Sequence, residues 1–351
     1  MRRPVTKITT NFIEELDEII ETLCPDRVFV LTDNSAKKYC LPVLSTSKWL
    51  QNASVITIAQ GDEHKNIASA VEIWTFLTKN DATRRSLMIN LGGGVISDTG
   101  GFVAATFKRG IRYVNLSTTL LGAVDAATGG KTGVNFLGYK NEIGVFSPAE
   151  AVLVNTDFFH TLDAENLRSG FAEIVKHALI HSLEEWNGAL AFDLDNVDFE
   201  KLKEILARSI RIKERIVEQD PKELHLRKAL NAGHTVGHAI ESWSYGLNRP
   251  VLHGYAVVWG LICELYLSFV QTGFPKNELL KFGRWAKEYY GECEIDCKHY
   301  DMLYELMRHD KKNEGDCINF TLLKRVGEPV VDRTASKKEI FESFDYLRDG
   351  W

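Results

Sequence analysis

The chain has 351 residues, 44% of them hydrophobic, and a formal net charge of -6. Such a length can bury a large core and favours two lobes with a cleft between them. Charges of both signs are mixed throughout, which excludes the basic stripe of a nucleic-acid binder but leaves room for local cation clusters around a small anion.

The N-terminal "MRRPVTKITTNFIEELDEII" has no apolar h-region and runs directly into an amphipathic helix pattern, so no secretion signal is read there. The segments "RVFVLTD", "SVITIAQ" and "SLMINLGGG", then "RYVNLST" and "AVLVNTD", are continuous apolar runs with helical periodicity between them. That pattern predicts a parallel sheet covered on both faces, an α/β, Rossmann-like lobe over residues 1–158. From "TLDAENLRSGFAEIVKHALI" onward the periodicity is helical nearly to the end, predicting a mainly α-helical lobe over residues 159–351. The most apolar stretch, "YAVVWGLICELYL", is short for a membrane span and carries Glu264, so it reads as a buried core helix. Six scattered cysteines (Cys24, Cys40, Cys263, Cys293, Cys297, Cys317) without C-x-x-C spacing read as reduced thiols of a cytoplasmic protein.

Several stretches can carry chemistry. The run "LGGGVISDTGG" follows a predicted strand and opens a helix, where glycines let backbone amides approach a diphosphate, although its spacing is not G-x-G-x-x-G. Next, "STTLLGAVDAATGGKTGVN" and "GYKNEIG" place Asp125, Lys131, Lys140 and Asn141 in a region read as polar loops suited to anion contacts. In "SGFAEIVKHALIHS", Glu173 and Lys176 share a helix face, either as a weak surface ion pair or as a metal ligand with a lysine beside it. Finally, "NAGHTVGHAIE" sets His234 and His238 one turn apart, beside Gly233 and Gly237, which read as small residues opening space around a helix. A second pair, His177 and His181, shows how little spacing alone proves, and "GHTVGH" lacks the glutamate of H-E-x-x-H. Two histidines and a carboxylate are a standard catalytic zinc set, which Glu173, His234 and His253 satisfy. These residue types do not choose between that set and a metal shared by His234 and His238.

The segments "GGGVISDTGGFVAATFKRGIRYVNLSTTLLGAVDAATGGKTGVN", "YKNEIGVF", "GFAEIVKHALI", "LRKALNAGHTVGHAIE" and "LHGYAVVWG" closely resemble the 3-dehydroquinate synthase family, in order and at its intervals, from about residue 26 to residue 325. The resemblance implies the fold shared with iron-dependent alcohol dehydrogenases, NAD+ as cofactor, and a divalent metal, zinc or cobalt. It assigns Glu173, His234 and His253 to the metal and gives His238 to substrate contact and proton handling. Around NAD+ it places Asp33, Asn34, Asp62, Glu63, Lys65, Gly93, Gly94, Val95, Asp98, Thr118, Thr119 and Lys140, with Lys131 between cofactor and substrate. Its substrate pocket comprises Asp125, Lys131, Asn141, Lys176, Lys213, Arg227, Asn231 and His238, with Lys312 in "RHDKKNEG". Arg109 matches an arginine that reaches a neighbouring subunit, which implies a homodimer.

The implied substrate, 3-deoxy-D-arabino-heptulosonate 7-phosphate, carries a carboxylate and a phosphate, so clustered lysines and arginines suit it. Two positions depart from the family pattern: Ser97 stands where glycine is usual, and Tyr255 replaces a glutamate after "LHG". A serine at 97 weakens any turn that needs a positive φ there, and Tyr255 implies altered contacts around the site. Sister cyclases acting on sedoheptulose 7-phosphate or glucose 6-phosphate share the implied fold, but the set Lys213, Arg227, Asn231 and His238 argues for a carboxylate-bearing substrate. A glycerol-1-phosphate dehydrogenase, which releases NADH, and a catalytically silent NAD- or metal-binding regulator are the remaining alternatives.

Overall fold

The structure, a computed structural model, describes residues 5–137, 139–247, 250–308 and 317–350. The chain divides into two compact units, Met1–Asp163 and Ala164–Trp351.

In the first unit the elements run β1 (Val5–Ile8), α1 (Phe12–Leu23), β2 (Val28–Asp33), α2 (Asn34–Tyr39), β3 (Ser54–Ile58), α3 (Ile67–Lys79), β4 (Leu87–Gly92), α4 (Gly94–Thr106), β5 (Arg112–Ser117), β6 (Lys131–Phe136), β7 (Tyr139–Phe146) and β8 (Ala151–Val154). Six strands form a parallel sheet in the order β1-β8-β5-β4-β2-β3. All six residues of β4 are buried, as a central strand covered on both faces requires. Val30, Ile89, Leu91, Val114, Leu116 and Leu153 from five-residue-scale apolar runs pack with Leu16 and Ile20 of α1 into one core.

The "GYKNEIG" region differs from the polar loop expected of it. Strands β6 and β7 pair antiparallel with Gly133 opposite Gly144. A Cβ on Gly144 would lie 2.4 Å from the Thr132 carbonyl oxygen, so the two strands cross where only glycine fits. The N-terminal segment also begins with a strand, β1, paired to β8, before the amphipathic α1.

The second unit comprises α5 (Ala164–His181), α6 (Leu183–Leu190), α7 (Phe199–Gln219), α8 (His234–Ser244), α9 (His253–Thr272), α10 (Lys276–Tyr290), α11 (Tyr300–Arg308), β9 (Asn319–Leu323), β10 (Pro329–Thr334) and α12 (Lys337–Asp349), with β9 and β10 an antiparallel pair. Helix α9 is longer than its most apolar stretch suggested: its 20 residues are apolar enough to cross a membrane by length and composition. It is instead the central helix of this unit, packed by α5, α8, α10 and α12.

Glycines set those contacts. A Cβ on Gly254 would lie 2.0 Å from the Ser169 carbonyl oxygen of α5, and one on Gly260 would lie 2.0 Å from the Gly233 carbonyl oxygen before α8. Gly237 is also closely placed, since a Cβ there would lie 2.9 Å from the Ala256 carbonyl oxygen. Gly233 and Gly237 therefore do not open space around their helix, as the sequence reading had it; they let α8 and α9 touch backbone to backbone.

Candidate active site

The second unit gathers its titratable groups where α5, α8 and α9 meet. Glu173 of α5 is fully buried, and its Oε1 lies 3.2 Å from Nε2 of His253 and 3.5 Å from Nε2 of His234. Ligand atoms of these three residues all fall within 4.8 Å of one another. Lys176, one turn along α5 and also buried, pairs with Oε2 of Glu173, so this is no weak surface ion pair. Burial alone raises a carboxyl pKa, but Lys176, His234 and His253 hold that of Glu173 well below the usual carboxylate range.

The histidine rings are oriented from behind. His234 Nδ1 lies 3.1 Å from the Ala232 carbonyl oxygen, and His253 Nδ1 lies 3.3 Å from Oε2 of Glu241. Donating Nδ1–H to those acceptors orients each ring so that its Nε2 faces Glu173. Desolvation opposes charge on His253, yet Glu241 and then Glu173 raise its pKa to about 10. A second triad, His238, Glu241 and His253, also clusters, but there Glu241 occupies Nδ1 of His253 as an orienting partner. His238 itself stands with its ring 5.1 Å from that of His234 and 6.0 Å from that of His253. One oxygen and two imidazole nitrogens converging from three helices fit a zinc-like or cobalt-like ion.

The other pair, His177 and His181, does not converge: His177 is buried against Ser209 Oγ at 2.8 Å, while His181 is exposed.

Nearby in the chain, Asp220 folds the segment after α7. Its carboxylate accepts from the backbone amides of Leu224, His225 and Arg227 at 2.9, 2.6 and 3.1 Å, and the Arg227 guanidinium returns to the Pro221 carbonyl oxygen. This seats Arg227 and Asn231 on the turn Leu226–Asn231, with Asn231 donating to Glu223 at 2.9 Å. Lys213 of α7 is buried as well. Glu223, Glu241 and Asp220 were not singled out from the sequence, where nothing distinguishes a carboxylate that orients a neighbour from one that faces water.

In the first unit, Gly93 follows β4 and caps α4, whose first turn has no side-chain cap. A Cβ on Gly93 would lie 3.0 Å from the Thr119 side chain and one on Gly94 3.1 Å from Ala126, so the start of α4 packs closely on these neighbours where side chains would crowd it. Ser97 requires no positive φ: it lies within α4 and donates to the Gly94 carbonyl oxygen at 3.1 Å, which removes the reservation its sequence raised. Around this terminus Lys65 donates to Asp98 at 2.5 Å and to Asn141, while Lys140 meets Asp62 at 2.7 Å. Asp62 also accepts from Asn135 Nδ2 at 2.6 Å. Thr118 is buried, and Thr119 Oγ1 accepts from the Gly122 amide at 3.0 Å, shaping the turn that carries Asp125.

The remaining candidates are placed less centrally. Asp33 is the N-cap of α2, accepting from the Ala36 amide at 2.8 Å, and Asn34 and Glu63 are exposed. Val95 lies in the first turn of α4, and Lys131 is exposed at the start of β6. Arg109 is exposed with φ 67 in a turn before β5. Lys312 lies outside the described residues. Tyr255 packs edge-on against Tyr290 at 4.9 Å and bonds Arg168.

Comparison with known proteins shows the family and the fold. Residues 55–169 match the family model described as 3-dehydroquinate synthase N-terminal, and residues 170–313 match 3-dehydroquinate synthase C-terminal. A 3-dehydroquinate synthase of Parabacteroides distasonis is 48% identical over 344 residues, covering 98% of each chain. Among solved structures, a 2-deoxy-scyllo-inosose synthase complexed with carbaglucose-6-phosphate, NAD+ and Co2+ superposes with TM-score 0.85 at 21% identity, covering 99% of this chain and 96% of that one. A 2-epi-5-epi-valiolone synthase from Streptomyces hygroscopicus with NAD+ and Zn2+ bound gives 0.84 at 22% identity, covering 99% and 97%.

Proposed function

The chain belongs to the 3-dehydroquinate synthase family, and on that premise we propose that it converts 3-deoxy-D-arabino-heptulosonate 7-phosphate to 3-dehydroquinate and phosphate, a lyase step of the shikimate pathway to aromatic amino acids. The observation that carries this reading is the meeting of Glu173, His234 and His253 with their Nδ1 positions already engaged. Glu173, His234 and His253 hold a zinc or cobalt ion, and NAD+ binds to the first unit. When bound, the ion supplies Lewis acidity to a substrate hydroxyl and NAD+ supplies a reversible hydride acceptor, restored at the end of each turnover.

The chain's own residues bind and orient. The amides at Gly93 and Gly94, at the start of α4, receive the cofactor diphosphate, with Val95, Asp98, Thr118 and Thr119 around it and Lys65 holding Asp98 in place. Asp62, Glu63, Lys140, Asp33 and Asn34 complete the cofactor side. Lys176, Lys213, Arg227 and Lys312 supply charge-assisted contacts to carboxylate and phosphate, and Asn231, Asn141, Asp125 and Lys131 position hydroxyls. His238, off the metal set but beside it, holds and returns a proton on its imidazole. Arg109 contributes from a second copy of the chain, making the working form a homodimer, and the six free cysteines suit a reducing cytoplasm.

Phosphate release from 3-deoxy-D-arabino-heptulosonate 7-phosphate, with NAD+ and zinc, with and without EDTA, tests the reading while NADH absorbance is followed in parallel. Chelator-sensitive release without net NADH is expected. Release only from sedoheptulose 7-phosphate, or accumulating NADH, would replace it with a sister cyclase or a dehydrogenase.

A further inference from the structure

Glu264 has no role in the reaction as set out above, yet it is 1% exposed in the most apolar helix of the chain. A carboxylate in such a place is costly to desolvate and persists only where its oxygens are well satisfied. Its partners are backbone amides at the start of α8: Gly233 N lies 2.7 Å from Oε2, and Thr235 N and Val236 N lie 3.1 and 3.4 Å from Oε1. Two of these amides flank His234 directly.

An ordinary N-cap side chain cannot do this work. The residue before α8 is Gly233 at φ +78, where a Cβ would lie 2.8 Å from the Val257 carbonyl oxygen and 2.6 Å from Leu261. The cap is therefore delivered from the neighbouring helix, and the glycine contacts at Gly233, Gly237 and Gly260 bring the backbones close enough for it to reach. His253, the other histidine of the cluster, opens the same helix about three turns earlier.

We propose that Glu264 is a positioning residue for His234: by binding the amides on either side of it, the carboxylate fixes the direction of the His234 side chain relative to His253 on its own helix. The inference rests on His234 and His253 being metal ligands. It concerns geometry at the metal, so it is read from the metal rather than from turnover.

The test uses the full-length chain with Glu264→Gln, an isosteric change that turns an NH2 group toward amides that need an acceptor. Zinc affinity is measured by competition with a chromophoric chelator, and the visible spectrum of the cobalt-loaded protein is recorded. The expected result is a folded variant with zinc affinity reduced ~10-fold or more, the scale seen for groups that orient metal ligands, and shifted cobalt bands. Wild-type affinity and an unchanged cobalt spectrum in the folded variant overturn the proposal. Should Glu264→Gln not fold, hydrogen exchange of the wild type decides: zinc is expected to slow exchange at Gly233, Thr235 and Val236, and no zinc dependence there overturns it. His234→Ala separates the two levels. Stoichiometric tight zinc in that variant removes the ligand assignment and the positioning with it, whereas lost zinc beside an unaffected Glu264→Gln removes the positioning alone.

Discussion

Gly260→Ala should damage the second unit more than its one added methyl suggests. The new Cβ would lie 2.0 Å from the Gly233 carbonyl oxygen and 2.7 Å from the Gly237 nitrogen. Both are backbone atoms, so no rotamer change relieves the clash. Ordinary contact begins at 3.4 Å, and 3.4 less 2.0 means that α8 must retreat by roughly 1.4 Å in a core packed too densely to absorb it. The three hydrogen bonds from α8 to Glu264, now 2.7 to 3.4 Å long, would stretch past bonding range. Overpacking costs about 1–3 kcal/mol, and a buried carboxylate deprived of its donors adds about 1.5–3 kcal/mol. A loss of about 3–5 kcal/mol is expected, read by urea unfolding at constant slope, together with weaker zinc binding. Gly188→Ala is the control, because that glycine is exposed in α6 with nothing within 4 Å of its Cβ. It should be neutral or stabilising by up to about 1 kcal/mol. Equal stabilities for the two variants would refute the reasoning.

His238→Ala should keep one equivalent of zinc while phosphate release falls about 100-fold or more, the scale of a lost general acid–base group; metal lost with His238 would return it to the ligand set. Lys65→Met should weaken NAD+ binding about 10–100-fold, since it removes a charged hydrogen bond to Asp98, and calorimetric titration with NAD+ reads this directly. For Asp220, burial raises the carboxyl pKa, but the amides of His225, Leu224 and Arg227 outweigh it and the pKa is lowered. Its contribution is thus complete above the unfolded value near ~3.9 and is lost as pH falls below that through the native pKa. Limited proteolysis within 221–226 should accelerate only in that acidic range for the wild type and be fast at every pH for Asp220→Ala, whose KM should rise with metal content unchanged.

Much of the α/β unit can be read from the sequence because a buried parallel strand leaves a continuous apolar run, and "RVFVLTD", "SLMINLGGG" and "AVLVNTD" each coincide with a strand of the sheet. Strands that pair by other means leave no such mark. Strand β1 has four residues with two polar ones, Thr6 and Lys7, at its centre, and β6–β7 put glycine opposite glycine at Gly133 and Gly144, which lowers the apolar signal at the very place where the backbones come closest. The same rule explains the misread glycines of "NAGHTVGH": a sequence shows that a side chain is missing but not what fills the space.

The site divides along a similar line. The residue types of Glu173, His234 and His253 made them one candidate set, the family resemblance chose that set over His234 with His238, and their ligand atoms lie within 4.8 Å of one another. Spacing could not separate His234 from His238, because residues one turn apart share a helix face whichever of them binds metal. In space, His234 points Nε2 toward Glu173 while the Ala232 carbonyl holds its Nδ1, and His253 is held in the same way by Glu241. Those holding groups are a backbone carbonyl and a glutamate on a different helix, and Glu264 acts from farther along α9 still. Positioning is a property of tertiary contact, so it stays invisible until the helices carrying it are packed.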